Sequence, residues 1–589
     1  MKGFLKSMLS TVAGLVVFSL VVGMIGILAL VGAVASGDTT KEVKNNSVLV
    51  LKLSGQLTER STMNVMGKIT GSDINSIGLD DLLNSIAIAK DNDNVKGIYL
   101  EAGSLASDSY ASLQALRNAL ADFKKSGKWI IAYADSYTQG MYYVASVANK
   151  VYLNPEGMVD WHGLASQPYF LKDVLAKFGV KVQLAKVGTY KSAPEMFTAD
   201  KMSDANREQV SVFVKGIWQT VCDDVSKSRG ISVAKLNAYA DNIVAFDNPN
   251  NFVAYKFVDK LLYADEVRDE VKKTLGIDQK DKIWQVSTAD VLNAGKSSKG
   301  DEIAVYYAYG NIVNGGGGLT NGTSNLIDAS VVCPDLERLA EDDNVKAVVI
   351  RVNSGGGSAY ASEQLYHYVK KLKAKKPVVV SMGGLAASGG YYMSSIANWI
   401  VAEPTTLTGS IGIFGMFPDF SGLLTQKLGV KFDEVKTNRN AGFGTMARPF
   451  TPEEMSHLER YITRGYALFK SRVAEGRGMS MDAVEKVAEG RVWLGKDALK
   501  IKLVDQLGGL DVAVAKAASL AKLKEYHTTG YPAQPSFMEQ LYAKTSQKSY
   551  LDGKMKEMMG EYYQPFMTLY NTKNTDAIQT SLPFYLNIN

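Results

Sequence analysis

The chain has 589 residues, with a hydrophobic fraction of 46% and a charged fraction of 21%, which is too long for one compact domain and too apolar for extensive disorder. Its 65 Lys and Arg against 60 Asp and Glu leave a formal net charge of +5. No dense basic block with interleaved aromatics is present, so no nucleic-acid partner is expected. Cys222 and Cys333 are too few for a disulfide framework or a Cys-rich zinc site, and one disulfide or two separate buried thiols both stay open. The histidines, His162, His367, His457 and His527, form no HExxH pair, so neither metal nor cofactor is expected.

The chain opens with a decisive stretch. Residues 8–35 carry no charge and are dominated by Leu, Val, Ile, Gly and Ala, long enough to span a bilayer, with Lys2 and Lys6 before them. Residues 1–37 are therefore expected to be a cytoplasmic tail and a single membrane anchor, with everything after Ser36 on the far side. Ala33-Val34-Ala35 resembles a signal-peptidase site, but the apolar run exceeds a cleavable core of about 7–15 residues, and a retained anchor is the reading.

Beyond the anchor the sequence repeats itself. Asp93-Asn-Val-Lys-Gly-Ile98 matches Asp343-Asn-Val-Lys-Ala-Val348, and Phe178-Gly-Val-Lys181 matches Leu428-Gly-Val-Lys431, both displaced by 250 residues. Tyr142-Tyr-Val-Ala-Ser-Val-Ala-Asn149 answers Tyr391-Tyr-Met-Ser-Ser-Ile-Ala-Asn398 at 249, and Arg229-Gly-Ile-Ser232 answers Arg477-Gly-Met-Ser480 at 248. Four blocks in one order make two copies of a fold. The copies cover 38–293 and 302–525, joined by a polar linker at 294–301 and followed by a tail at 526–589 rich in Tyr and Met.

Within the first copy, strands at 48–53, 96–100 and 129–133 alternate with helices at 80–89, 112–124 and 141–148. The second copy follows with 303–307, 347–352 and 378–381 as strands and 336–341 and 363–373 as helices. This alternation is the pattern of an α/β fold with a parallel sheet, in which ligands sit beyond the carboxyl ends of the strands.

Two glycine-bearing loops lie there, Asn353-Ser-Gly-Gly-Gly-Ser358 and the stretch 383–390. Gly383 and Gly384 are expected to break the strand, and a helix over 385–396 would place Ser388 near its first turn, among donors suited to an oxyanion. A tight helix–sheet packing contact is the plainer use of the same small residues. The repeat weighs between the two. Gln139 faces Ser388 in the first copy, and Lys191 of the first copy falls opposite Asn440 or Ala441 of the second. Each copy lacks what the other has, which points to one site per chain if Lys191 reaches Ser388.

Five segments carry a specific resemblance: Gly188-Thr-Tyr-Lys-Ser-Ala193, Arg351-Val-Asn-Ser-Gly-Gly-Gly-Ser358, Ala387-Ser-Gly-Gly-Tyr-Tyr392, Thr408-Gly-Ser-Ile-Gly-Ile-Phe-Gly415 and Glu489-Gly-Arg-Val-Trp-Leu-Gly495. Together they resemble the membrane-anchored signal peptide peptidase A family, of the long double-domain type, from the anchor to about residue 520. Gly355 departs from the proline common there. The resemblance implies tandem duplicated Clp protease/crotonase-like domains behind an N-terminal transmembrane helix. It also implies a serine protease with a Ser-Lys dyad, in which Ser388 is the nucleophile, Lys191 the general base and Ser410 the residue orienting the amine.

The chemistry supports such a dyad on its own terms. A serine hydroxyl needs a base, and a lysine serves only if burial lowers its pKa from about 10.4. Gly389 with Gly356 or Gly357 are the expected oxyanion donors. The expected activity is endopeptidase cleavage of released signal peptides and similar apolar peptides on the periplasmic side of the inner membrane, and the family resemblance implies a homotetramer. Two other classes compete: a membrane-tethered scaffold with a silent dyad, and a crotonase-like enzyme acting on an acyl thioester.

Overall fold

A computed structural model describes residues 40–61, 76–295, 299–315, 326–534 and 578–581, with scattered positions before residue 40. The expected anchor falls mostly outside the described residues; among those described, no helix is long and apolar enough to cross a membrane. Linker residues 296–298 and most of the tail also lie outside them.

The first half is built on β1 (Ser47–Thr58), β2 (Val95–Ala106), β3 (Trp129–Ala134) and β4 (Lys150–Leu153), all parallel and adjacent in that order. Their inner residues, such as Leu49, Leu51, Ile98, Leu100, Ile130 and Ala132, are fully buried, as expected for a parallel sheet covered on both faces. Helix α1 (Tyr110–Lys124) and helix α2 (Gln139–Ala145) make the crossovers. The chain then leaves the sheet through β5 (Lys181–Val187) and enters the long helix α3 (Asp204–Arg229).

The second half repeats the plan. It contains β6 (Asp301–Tyr309), β7 (Val345–Ser354), the short β8 (Gly356–Ser358), helix α4 (Ala359–Lys375), β9 (Val378–Ala387), helix α5 (Gly389–Ser394) and β10 (Trp399–Ala402). Then come β11 (Leu407–Gly409), β12 (Ile413–Asp419) and helix α6 (Pro452–Arg477), with β13 (Ile578–Ser581) near the C-terminus. Strands β6, β7, β9 and β10 pair in parallel in the same order as β1 to β4. The long helices match to the residue: α3 and α6 are both 26 residues, capped by Ser203 and Thr451 and stopped by Gly230 and Gly478 in the left-handed conformation.

A third sheet joins the halves. Its order is Leu326–Asp328, Asn311–Val313, β8, β13, β12, β5, so β5 of the first half pairs antiparallel with β12 of the second, from Ile413 opposite Val187 to Asp419 opposite Lys181. The cores also interlock, since Leu407, Val492 and Leu494 pack into the first core and Ala185 into the second.

Two local expectations are corrected. The helix expected at 336–341 runs from Ala329 to Glu341 with Pro334 inside it. Asp328 caps its start, and the buried stripe of Val332, Cys333, Leu336 and Leu339 outweighs the proline. The strand expected to break at Gly383 continues as β9 to Ala387, and the helix is only Gly389–Ser394. Those glycines serve close approach, because a Cβ would lie 2.6 Å from Glu59 Oε1 at Gly383 and 2.3 Å from Ser109 Oγ at Gly384. The first half packs directly on this strand. Cys222 and Cys333 are separate buried thiols in different cores.

Candidate active site

Register alone brings the key residues together. Strand β9 pairs with β11 up to Ala387 opposite Gly409, so Ser388 and Ser410 leave the ladder side by side. Strand β12 begins three residues after Ser410 and pairs with the end of β5, so the chain leaving β5 at Val187 delivers Lys191 to the same spot. Lys191 Nζ lies 2.7 Å from Ser388 Oγ and 3.0 Å from Ser410 Oγ, and donates to the Ser410 carbonyl at 3.2 Å. All three residues are fully buried. Burial drives the lysine well below its ordinary value, which favours the neutral amine over the charged one.

The backbone at both serines is unusual. Ser388 has φ 55° and ψ −114°, and Ser410 has φ 51°. Such conformations cost roughly 1–3 kcal/mol for a residue with a side chain and persist where the surroundings enforce them. Here the Ser388 N–H donates to the Gly409 carbonyl at 2.8 Å, and the Ser410 N–H to the Arg491 carbonyl at 2.7 Å. Ser388 stands at the start of α5, directly before the first-turn N–H groups of that helix, that of Gly389 among them.

The segment after α6 holds the lysine in place. Tyr190 N–H donates to Glu489 O at 2.9 Å and Gly490 N–H to Ile411 O at 2.8 Å. Gly490, at φ 77°, leaves no room for a side chain, since its Cβ would stand 2.6 Å from Lys191 Cβ. From α3, Gln209 Nε2 donates to Tyr190 O at 3.0 Å and to Ser192 Oγ at 3.0 Å, while its Oε1 accepts from Val492 N–H at 3.2 Å. Lysine-bearing and serine-bearing halves are thus stitched together beside the dyad.

Of the two expected loop glycines, Gly356 gives its N–H to Ser354 Oγ at 3.1 Å, and Gly357 lies opposite Ile312 in the third sheet. The sequence reading missed what anchors this loop. Glu59, at the end of β1, accepts from Arg351 at 2.9 and 3.3 Å and from Asn353 Nδ2 at 2.8 Å. Asn353 also donates to Asp108 at 2.7 Å, and its Oδ1 accepts from Leu385 N–H at 3.0 Å. An arginine inside the apolar run 347–352 was the available signal, because a buried charge needs a partner.

The matching place in the first half is filled. Gln139 stands at the position of Ser388, its Oε1 accepting from His162 and Gly163 N–H at 3.0 and 2.9 Å. The fully buried Trp161 occupies the position 249 residues before Ser410.

The model of Peptidase family S49 matches this chain twice, at residues 122–278 and 370–524, and that of Clp protease matches 309–399. The chain belongs to Peptidase family S49. It is similar to "Protease 4" of Salmonella typhi, 36% identical over 89% of this chain and 85% of that protein's length. "Protease 4" of Haemophilus influenzae is 34% identical over 85% of this chain and 83% of its own, and "Serine protease SPPA, chloroplastic" of Arabidopsis thaliana is 32% identical over 82% and 70%. As an S49 peptidase with these relatives, the chain is a serine protease.

Proposed function

We propose that this serine protease is a membrane-anchored endopeptidase that works through Ser388 and Lys191 and degrades released signal peptides and similar apolar peptides on the periplasmic side. The observation that carries the reading is the fully buried contact of 2.7 Å between Lys191 Nζ and Ser388 Oγ. The region 38–293 supplies the base and 302–525 the nucleophile.

Neutral Lys191 accepts the hydroxyl proton as Ser388 Oγ attacks the scissile carbonyl, and Ser410 Oγ keeps the amine aimed. The Gly389 N–H receives the developing oxyanion, while Gly356 and Gly357 line the groove opposite; one such donor is worth about 10² to 10³ in rate. Lys191 then returns the proton to the leaving amine, and a water activated by the same amine hydrolyses the acyl-enzyme. A substrate strand running beside β8 and β12 would be held by backbone hydrogen bonds, with apolar pockets reading alternate side chains. The apolar run 8–35 behind Lys2 and Lys6 supports anchoring in the inner membrane. Assembly as a homotetramer belongs to the same reading.

The test is cleavage of a fluorogenic apolar peptide by the full chain beside Ser388→Ala and Lys191→Ala. Both variants should fall to background, a loss of about 10³-fold or more, while keeping the wild-type Tm within a few degrees. Retained activity in Lys191→Ala would move the base elsewhere.

A further inference from the structure

The backbone beside the lysine is strained on both flanks. Ser410, at φ 51°, and Glu489, at φ 52°, both sit in the left-handed region, where a residue with a side chain stays only if its surroundings hold it. Ser410 N–H donates to the Arg491 carbonyl at 2.7 Å, and Tyr190 N–H to the Glu489 carbonyl at 2.9 Å. Lys191 is tied only loosely to its own loop, its N–H reaching the Gly188 carbonyl at 3.4 Å. Its aim therefore depends on what fixes Tyr190 before it and Ser410 in front of it.

The side chain of Arg491 completes that hold. Its guanidinium lies over the Tyr190 ring, 4.7 Å from the centroid, and over the Trp493 ring at 4.8 Å. Nη1 donates to Tyr190 Oη at 3.2 Å, and Nη2 to Glu208 Oε1 of α3 at 2.9 Å. Trp493 is anchored in turn: its Nε1 donates to the Val487 carbonyl at 3.0 Å, and its backbone pairs opposite Thr408 of β11, two residues before Ser410. The Glu208 carboxylate is half exposed, so the ion pair alone is worth little. What matters is a planar cation that stacks and donates at once, which a lysine cannot imitate.

The repeat singles out the same residue. At the displacement of 248 that aligns Arg229 with Arg477, Arg491 and Trp493 answer Ile243 and Ala245. Neither can stack or donate from its side chain, and Ile243 is 52% exposed. The first half, which has Gln139 where the nucleophile would stand, has no counterpart of this stack.

We propose that Arg491 is a positioning residue for the reaction: it touches no reacting atom, but by fixing Tyr190 and Ser410 relative to each other it keeps Lys191 Nζ in line with Ser388 Oγ. The inference rests on the protease reading above and names a residue on which its geometry depends.

The test compares the full chain with its Arg491→Met, Arg491→Lys and Tyr190→Leu variants on a fluorogenic apolar peptide, the lysine variant standing in if the methionine one does not fold. In each variant kcat should fall about tenfold to a hundredfold, the scale of a misplacement of about 1 Å, with KM nearly unchanged and Tm within a few degrees. Combining Arg491→Met with Tyr190→Leu should cost little more than either alone, because both break one contact. The pH at which activity rises should stay in place, since burial sets the lysine. Unchanged kcat, losses that multiply in the double variant, a fall in kcat only where Tm collapses, or a displaced pH profile with the plateau intact would each overturn the inference. A wild type that leaves the peptide uncut, or a Ser388→Ala variant that cuts it, would sink the protease reading and the inference with it.

Discussion

Lys191 is the residue on which the site turns, and its burial has two measurable effects. Activity should rise with pH through the depressed lysine pKa and then level off, so a kcat/KM profile that rises only at the ordinary value of about 10.4 would contradict a buried neutral base. Stability should move too. An unfolded lysine holds a proton that the folded one has released, so folding is opposed at every pH below the unfolded value. Lys191→Met removes that opposition: its Tm should exceed that of the wild type at neutral pH, with the gain shrinking as pH climbs toward 10. Ser388 stores strain in the same way. At φ 55°, Ser388→Gly should abolish cleavage yet stabilise the fold by about 1 kcal/mol in a thermal melt.

At the scale of elements, the loop from β7 to β8 is fixed by a charge from the other half. Glu59 and Arg351 are both nearly inaccessible and 2.9 Å apart. Removing one partner of such a pair costs about 3–5 kcal/mol, whereas replacing both with well-packed neutral side chains can be nearly neutral. Glu59→Gln should therefore lower Tm and slow kcat by loosening Asn353 and its loop, and adding Arg351→Met should recover much of the Tm but not the kcat. A double-mutant cycle with no coupling would contradict this.

The alternation of strands with crossover helices, and the two residues Lys191 and Ser388 that the structure brings 2.7 Å apart, were legible in the sequence, because duplication printed each element twice and made the missing partners visible. The Glu59 clamp was not, since nothing in sequence links residues 292 apart. The run of β9 through Gly383 and Gly384 was also hidden, because glycine reads as a breaker until a neighbour is seen pressing on it. Trp161, in contrast, was within reach: the same displacement that exposed Gln139 places it opposite Ser410.

For the whole molecule, the interface between halves carries its own pH sensitivity. Glu403 is buried, accepts from Asn118 of α1 at 3.3 Å, and is pushed up to about 7 by burial. A carboxyl raised in the folded state contributes stability that is complete below its unfolded value near 4.5 and lost as pH passes through about 7. Glu403→Gln should thus match the wild type near pH 4 and exceed it by roughly 2–3 kcal/mol at pH 8, read by urea titration. An equal difference at both pH values would place the destabilisation elsewhere.

The separation of 197 positions from Lys191 to Ser388 sets an order of events in the life of the chain. Under the proposed dyad, the base is synthesised first and has nothing to act upon, and the hydroxyl arrives later and stays inert until the strand carrying the lysine has docked against β12. A half-made or half-folded copy is therefore harmless to its surroundings. Two polypeptides divided at the linker should each be silent and recover activity only on mixing. Docking of β5 against β12 is the step that brings the lysine to the serine.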